Sequence, residues 1–93
     1  MQRSPSDKIV LKSLGLRVKA IRENRGASQE ALANDADVHR TYLSGVERGL
    51  RNPSLLTLAR IAHALSVDLE ILVDFRVDGS SLGLNPRRAS DEK

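Results

Sequence analysis

The chain has no cysteine and no tryptophan. Without cysteine there is neither a disulfide framework nor a thiolate metal site. That suits a reducing interior, and a cytoplasmic location is the expectation. Aromatic residues are almost missing too, with one tyrosine and one phenylalanine in 93 residues. The core must therefore be aliphatic, built from Leu, Ile, Val and Ala, and in so short a chain it is small. No apolar run approaches the roughly 20 residues of a membrane span. The opening MQRSPSDK leads into an amphipathic pattern and does not read as a secretory signal. No Gly-rich phosphate loop is present. His39 and His63 have no Cys or paired carboxylate at a useful spacing, so an enzyme, a metal site or a cofactor is not expected.

What is present is charge, and its placement matters more than its sum. The net charge is only +3. Up to Gly26, however, Arg3, Lys8, Lys12, Arg17, Lys19, Arg22 and Arg25 face only Asp7 and Glu23. Between residues 68 and 78 the balance reverses, with Asp68, Glu70, Asp74 and Asp78 against Arg76. A basic end of this kind favours polyanions.

Hydrophobic spacing predicts an all-α fold of five helices. Residues 1–7 are polar with Ser and Pro, and read as a flexible N-terminal arm. From about Lys8 to Arg25, Leu11, Leu14, Val18 and Ile21 recur three and four apart and share one face, and Gly26 is a natural stop. Ser28 is an N-cap for a second helix of about Gln29–Asp35. Ala36-Asp37-Val38 is the turn, where Asp37 tolerates a left-handed backbone better than most residues. Helix 3 runs about His39–Arg48, stopped by Gly49. After the loop Arg51-Asn52-Pro53, Ser54 caps a fourth helix of about Leu55–Leu65, with Leu55, Leu58, Ile61, Ala62 and Leu65 in one stripe. A short fifth helix covers about Asp68–Asp74. The folded domain is thus residues 8–74, and residues 75–93, rich in Gly, Ser, Pro and charge, read as a disordered tail.

The chemistry concentrates on helix 3. At about 100° per residue, Arg40, Thr41, Ser44, Gly45 and Arg48 share a polar, cationic face, while Leu43 and Val46 point the other way. Arg40 can grip guanine O6 and N7, and Thr41 and Ser44 can meet base edges. Gly45 would let the helix come close to a groove. On its own this face is as easily an ordinary solvated one. Its surroundings favour DNA. Gln29, at the start of helix 2, can hold a phosphate beside the backbone donors of the helix N-terminus. Tyr42 lies at the edge of the face, and Arg48, Arg51 and Asn52 follow where the chain would pass a phosphate. Glu47 lies beside the core stripe of helix 3 and Arg22 at the rim of helix 1, and an interhelical ion pair between them is expected.

The pattern R22-x6-Q29-E30-x-L32-A33, V38-x3-Y42-L43-S44-x2-E47-R48-G49, P53-S54-x3-L58-x2-I61-A62-x2-L65 resembles the lambda-repressor-like helix-turn-helix family, the Xre or Cro/C1 type. The likeness covers about Leu14–Leu72. HRTYLSGVERGLRNPSLLTL is similar in particular to the controller proteins of restriction–modification systems. The resemblance implies a compact five-helix DNA-binding domain with helices 2 and 3 as its motif. It implies a homodimer that binds palindromic double-stranded DNA and regulates transcription. It places Gln29, Tyr42 and Asn52 at the DNA backbone and Arg40, Thr41 and Ser44 at the bases, with Arg22 and Glu47 as a structural ion pair. Two positions depart from the family pattern: Asp37 stands where Gly is usual, and His39 where Ser, Thr or Asp caps the helix. Either departure can shift the start of helix 3.

Helix 5 and its continuation hold more apolar surface than a small core needs. Leu69 and Leu72 are expected inward, leaving Ile71, Val73 and Phe75 as candidates for a twofold interface. Capping of the same chain's core is an equal reading of these three. The alternative function is a protein-interaction or antitoxin-like adaptor on the same fold, which would lack salt-sensitive binding to duplex DNA.

Overall fold

The computed structural model describes residues 4–76. Five helices follow one another: α1 (Pro5–Asn24), α2 (Gln29–Asp35), α3 (Arg40–Glu47), α4 (Leu55–Ala64) and α5 (Leu69–Leu72). Helix α1 packs on α3 and α5, α2 on α3 and α4, and α4 on α5. Val18, Leu43, Ile61 and Leu72 are wholly buried where these helices meet. The core is aliphatic, as the scarcity of aromatics requires.

The helix ends explain why the chain turns where it does. Ser4, Ser28 and Ser54 each accept a hydrogen bond from a backbone N–H of the first turn of α1, α2 and α4. That satisfies donors a helix start otherwise leaves unpaired. At the other end, α1 to α4 all close in the same manner. The N–H groups of Ala27, Val38, Leu50 and Val67 reach back to the carbonyls of Arg22, Ala33, Gly45 and Ala62 at 2.8–3.1 Å. This Schellman closure needs a left-handed residue just past the helix. That residue is Gly26, Asp37, Gly49 or Ser66, with φ of 71°, 58°, 76° and 59°.

Three readings of the sequence need correction. Residues 5–7 are helical and not part of an arm. The Ser4 hydroxyl accepts from the Asp7 N–H at 3.2 Å while the Asp7 carboxylate accepts from the Ser4 N–H at 3.4 Å. With Pro5 preset at the first helical position, this capping box starts α1 three residues before Lys8. Leu55 is 66 % exposed: as the first residue of α4 it lies at the end of the stripe, outside the core. Phe75, read as the first residue of the disordered tail, packs against the chain's own core and is half-buried, which is the capping alternative given for it. Within the proposed tail, residues 77–93 lie outside the described residues.

Candidate nucleic-acid interface

The turn from α2 to α3 sets the direction of α3. Asp37 supplies the left-handed step, and His39 takes the N-cap position with φ −71° and ψ 144°. The departure at Asp37 is thus accommodated within the turn. The departure at His39 has a consequence, since its side chain makes no capping hydrogen bond. Helix α3 then buries Leu43, Val46 and Glu47 and exposes Arg40, Thr41 and Arg48, with Ser44 half-buried between the two sides.

Beneath this face is a buried polar cluster. Arg22 Nε donates to Glu47 Oε2 at 2.6 Å, and Nη2 donates to Glu47 Oε1 at 3.0 Å. Arg22 Nη1 donates to the Ala27 carbonyl at 2.9 Å. The two residues are only 8 % and 5 % exposed, so the fork-to-fork pair ties α1, the α1–α2 loop and α3 into one unit. The hydrogen bonds to Glu47 hold the Arg22 pKa above its ordinary value. Burial opposes this, and the carboxylate charge of Glu47 adds to the rise.

Gln29 joins the same cluster. Its Nε2 donates to Glu47 Oε1 at 2.9 Å, so one amide hydrogen is already engaged within the protein. The second amide hydrogen and the amide oxygen remain for a phosphate or water. Nothing in the local sequence around Gln29 signals this partner, which lies 18 residues away.

Arg51 has a different neighbourhood from a loop cation in solvent. Its guanidinium sits 5.9 Å from the centroid of the Tyr42 ring, a cation–π distance. A Cβ added at Gly45 would come 2.8 Å from Arg51 Cγ. Gly45 is buried, and its missing side chain makes room for Arg51, not for a groove edge as its place on the wheel suggests. Asn52 is exposed at the start of the loop leading to α4.

Two other glycines bring α1 against the end of α3. A Cβ at Gly15 would come within 2.5 Å of the Glu47 carbonyl oxygen, and one at Gly49 within 2.9 Å of Lys12 Cα. As a result Gln29, Ser44 and Arg48 share one groove with Lys12, Leu16 and Lys19 of α1. At α5, Ile71 and Val73 are 39 % and 41 % exposed. Arg17 spans α1 and α5 there, donating from Nε to the Ile71 carbonyl at 2.9 Å. No helix among the described residues is long and apolar enough to cross a membrane.

This architecture has known counterparts. The helix-turn-helix family HTH_3 matches residues 18–72. The control protein C.BamHI of Bacillus amyloliquefaciens is 45 % identical over 67 residues, 71 % of this chain and 83 % of the relative. The crystal structure of the restriction–modification controller protein C.AhdI from Aeromonas hydrophila is 40 % identical, with a TM-score of 0.66, over 67 % of this chain and 94 % of that one. The structure of SinR, a master regulator for biofilm formation, in complex with DNA is 39 % identical. Its TM-score is 0.62, and the match covers 66 % of this chain and 98 % of that one. The chain is a member of the HTH_3 helix-turn-helix family, with α2 and α3 as its motif.

Proposed function

We propose that this chain is a transcriptional regulator that binds double-stranded DNA sequence-specifically, as a homodimer on a palindromic operator, with α3 in the major groove. The observation that carries the reading is the division of α3. Its inner side is fixed by Leu43, Val46 and the Arg22–Glu47 pair, and its outer side presents Arg40 and Thr41 to solvent. A reading helix needs both properties, because base contacts demand a rigid donor geometry. The relative SinR was crystallised in complex with DNA, which supports the same reading.

In this function Arg40, Thr41 and Ser44 read bases. Gln29, Tyr42, Arg48, Arg51 and Asn52 meet the backbone, with Arg51 steadied by Tyr42. Ile71 and Val73 form the twofold contact. The protein works in the cytoplasm, without a cofactor and without catalysing a reaction.

Selection of bound duplexes from a random pool tests the proposal. Enrichment of an inverted repeat, with half-sites about one helical turn apart, is the expected result. A pool that stays random after several rounds would refute sequence-specific binding. On the selected operator, Arg40→Ala should cost about 1–3 kcal/mol and relax preference at one position in each half-site, while weaker non-specific binding remains. Equal loss on every duplex would instead make Arg40 a phosphate contact.

A further inference from the structure

The groove between α1 and α3 is lined by cations of α1, which lies outside the helix-turn-helix motif, as well as by Arg48 at the end of α3. Lys12, Leu16 and Lys19 form its α1 wall, at the i, i+4, i+7 spacing that puts them on one face. Ser44 and Arg48 form the opposite wall, on the edge of the proposed reading face. The single acidic residue in the groove, Glu47, is buried and committed to Arg22 and Gln29. Lys12 and Lys19 are exposed and take part in neither of the two ion pairs among the described residues. Lys12 and Leu16 also precede the 18–72 segment that matches the family.

From this geometry we infer that the α1–α3 groove is a channel for the sugar–phosphate backbone of the DNA strand that borders the reading helix. Lys12 and Lys19 are its sequence-independent cations, and Leu16 is its apolar wall. The inference rests on the DNA-binding reading and extends it to a helix outside the motif. Three facts support this occupant. Charge complementarity is the first: Lys12, Lys19 and Arg48 converge on a groove whose one carboxylate is internally compensated. Position is the second, since the groove holds Ser44 of the proposed reading face next to Gln29 and Arg48 of the proposed backbone contacts. Span is the third. Lys12 and Lys19 are separated by about 10 Å along α1, while one DNA strand carries a phosphate every ~3.4 Å of axis, so the two ammonium groups meet different phosphates. The close approaches at Gly15 and Gly49 hold the lysine stripe at α3.

The test uses the full chain, the operator recovered by selection, and a scrambled duplex of equal length. Binding is measured by fluorescence anisotropy from about 50 to about 200 mM salt. For the wild type, log affinity should fall steeply with log salt. Lys12→Gln with Lys19→Gln takes two cations away from the phosphates on each protomer. The salt slope on the operator should become shallower by about 0.9 for each phosphate no longer neutralised, with affinity reduced on both duplexes by a similar factor. Lys12→Arg with Lys19→Arg should restore the slope. An unchanged slope in the glutamine variant would overturn the inference, as would a loss confined to the operator. A wild type that binds neither duplex with salt sensitivity would instead bring down the DNA-binding reading itself.

Discussion

Glu47 is the residue on which the motif depends most. It is 5 % exposed and accepts from Arg22 twice and from Gln29 once. Removing it leaves a guanidinium that is 8 % exposed without its carboxylate, and breaking one side of a buried pair costs about 3–5 kcal/mol. A small domain has only about 5–15 kcal/mol in hand. Glu47→Ala should therefore lower the melting temperature by at least about 12 °C, at about 4 °C or more per kcal/mol. Gln29→Ala removes one hydrogen bond and should cost about 1 kcal/mol. Circular dichroism melts of both variants check the ranking, and equal small shifts would contradict it. The pH dependence has a definite sign. Because Arg22 is held above its ordinary value, its contribution is complete below that value and is lost only as pH rises past the raised one. The gap between wild type and Glu47→Ala should thus stay constant from about pH 7 to about pH 10. The Arg22–Glu47 pair is legible from helical wheels, since each residue borders an apolar stripe. The amide of Gln29 is not. Its partner is set by how α2 lies on α3, which the sequence around Gln29 does not encode.

At the scale of the element, the four left-handed closures make an internal comparison. Gly26 and Gly49 share the backbone conformation, with φ of 71° and 76°, but not the surroundings. Nothing lies within 4 Å of a Cβ at Gly26, whereas one at Gly49 meets Lys12 Cα at 2.9 Å. Gly26→Ala should cost only the left-handed penalty, about 1–2 kcal/mol. Gly49→Ala should cost that plus about 1–3 kcal/mol of overpacking, because the clash is with backbone that cannot rotate away. Denaturant melts that rank Gly26→Ala as the worse variant would contradict this account. Asp37 and Ser66 occupy the same conformation without being glycine, so Asp37→Gly should stabilise, by roughly 0.5–1 kcal/mol. The stops at Gly26 and Gly49 and the turn at Asp37 are readable because Gly and Asp mark a left-handed step chemically, whereas Ser66 takes the same conformation without such a mark. The start of α1 is equally marked by Ser4, Pro5 and Asp7, but the same polar composition suits an arm, and only the reciprocal hydrogen bonds of the capping box decide between the two. Gly45 is unreadable for another reason. A glycine on a polar stripe looks the same whether it faces a groove or the side chain of Arg51, which approaches from a loop.

At the scale of the whole molecule, the proposed reading face and the proposed twofold contact lie on different elements, α3 and α5. That separation makes the dimer contact testable without touching the DNA contacts. Ile71 and Val73 each leave about two-fifths of their surface exposed, whereas Leu72 between them is wholly buried. Substituting the two exposed residues therefore spares the core. Phe75, packed against its own chain, is the wrong target, since its loss would unsettle the fold and the dimer together. Ile71→Asp with Val73→Asp would place four carboxylates in a twofold contact, where like charges repel and lose water. The variant should keep its helical spectrum and sediment as a monomer. Without the second half-site joined to the first, operator affinity should fall by about 10²–10⁴, while affinity for an isolated half-site stays the same. A variant that remains dimeric would move the contact elsewhere, and the exposed Leu50, Leu55 and Leu56 would be the next surface to substitute. Loss of half-site binding together with dimerisation would instead show that α5 supports α3 through the core, by way of Leu72.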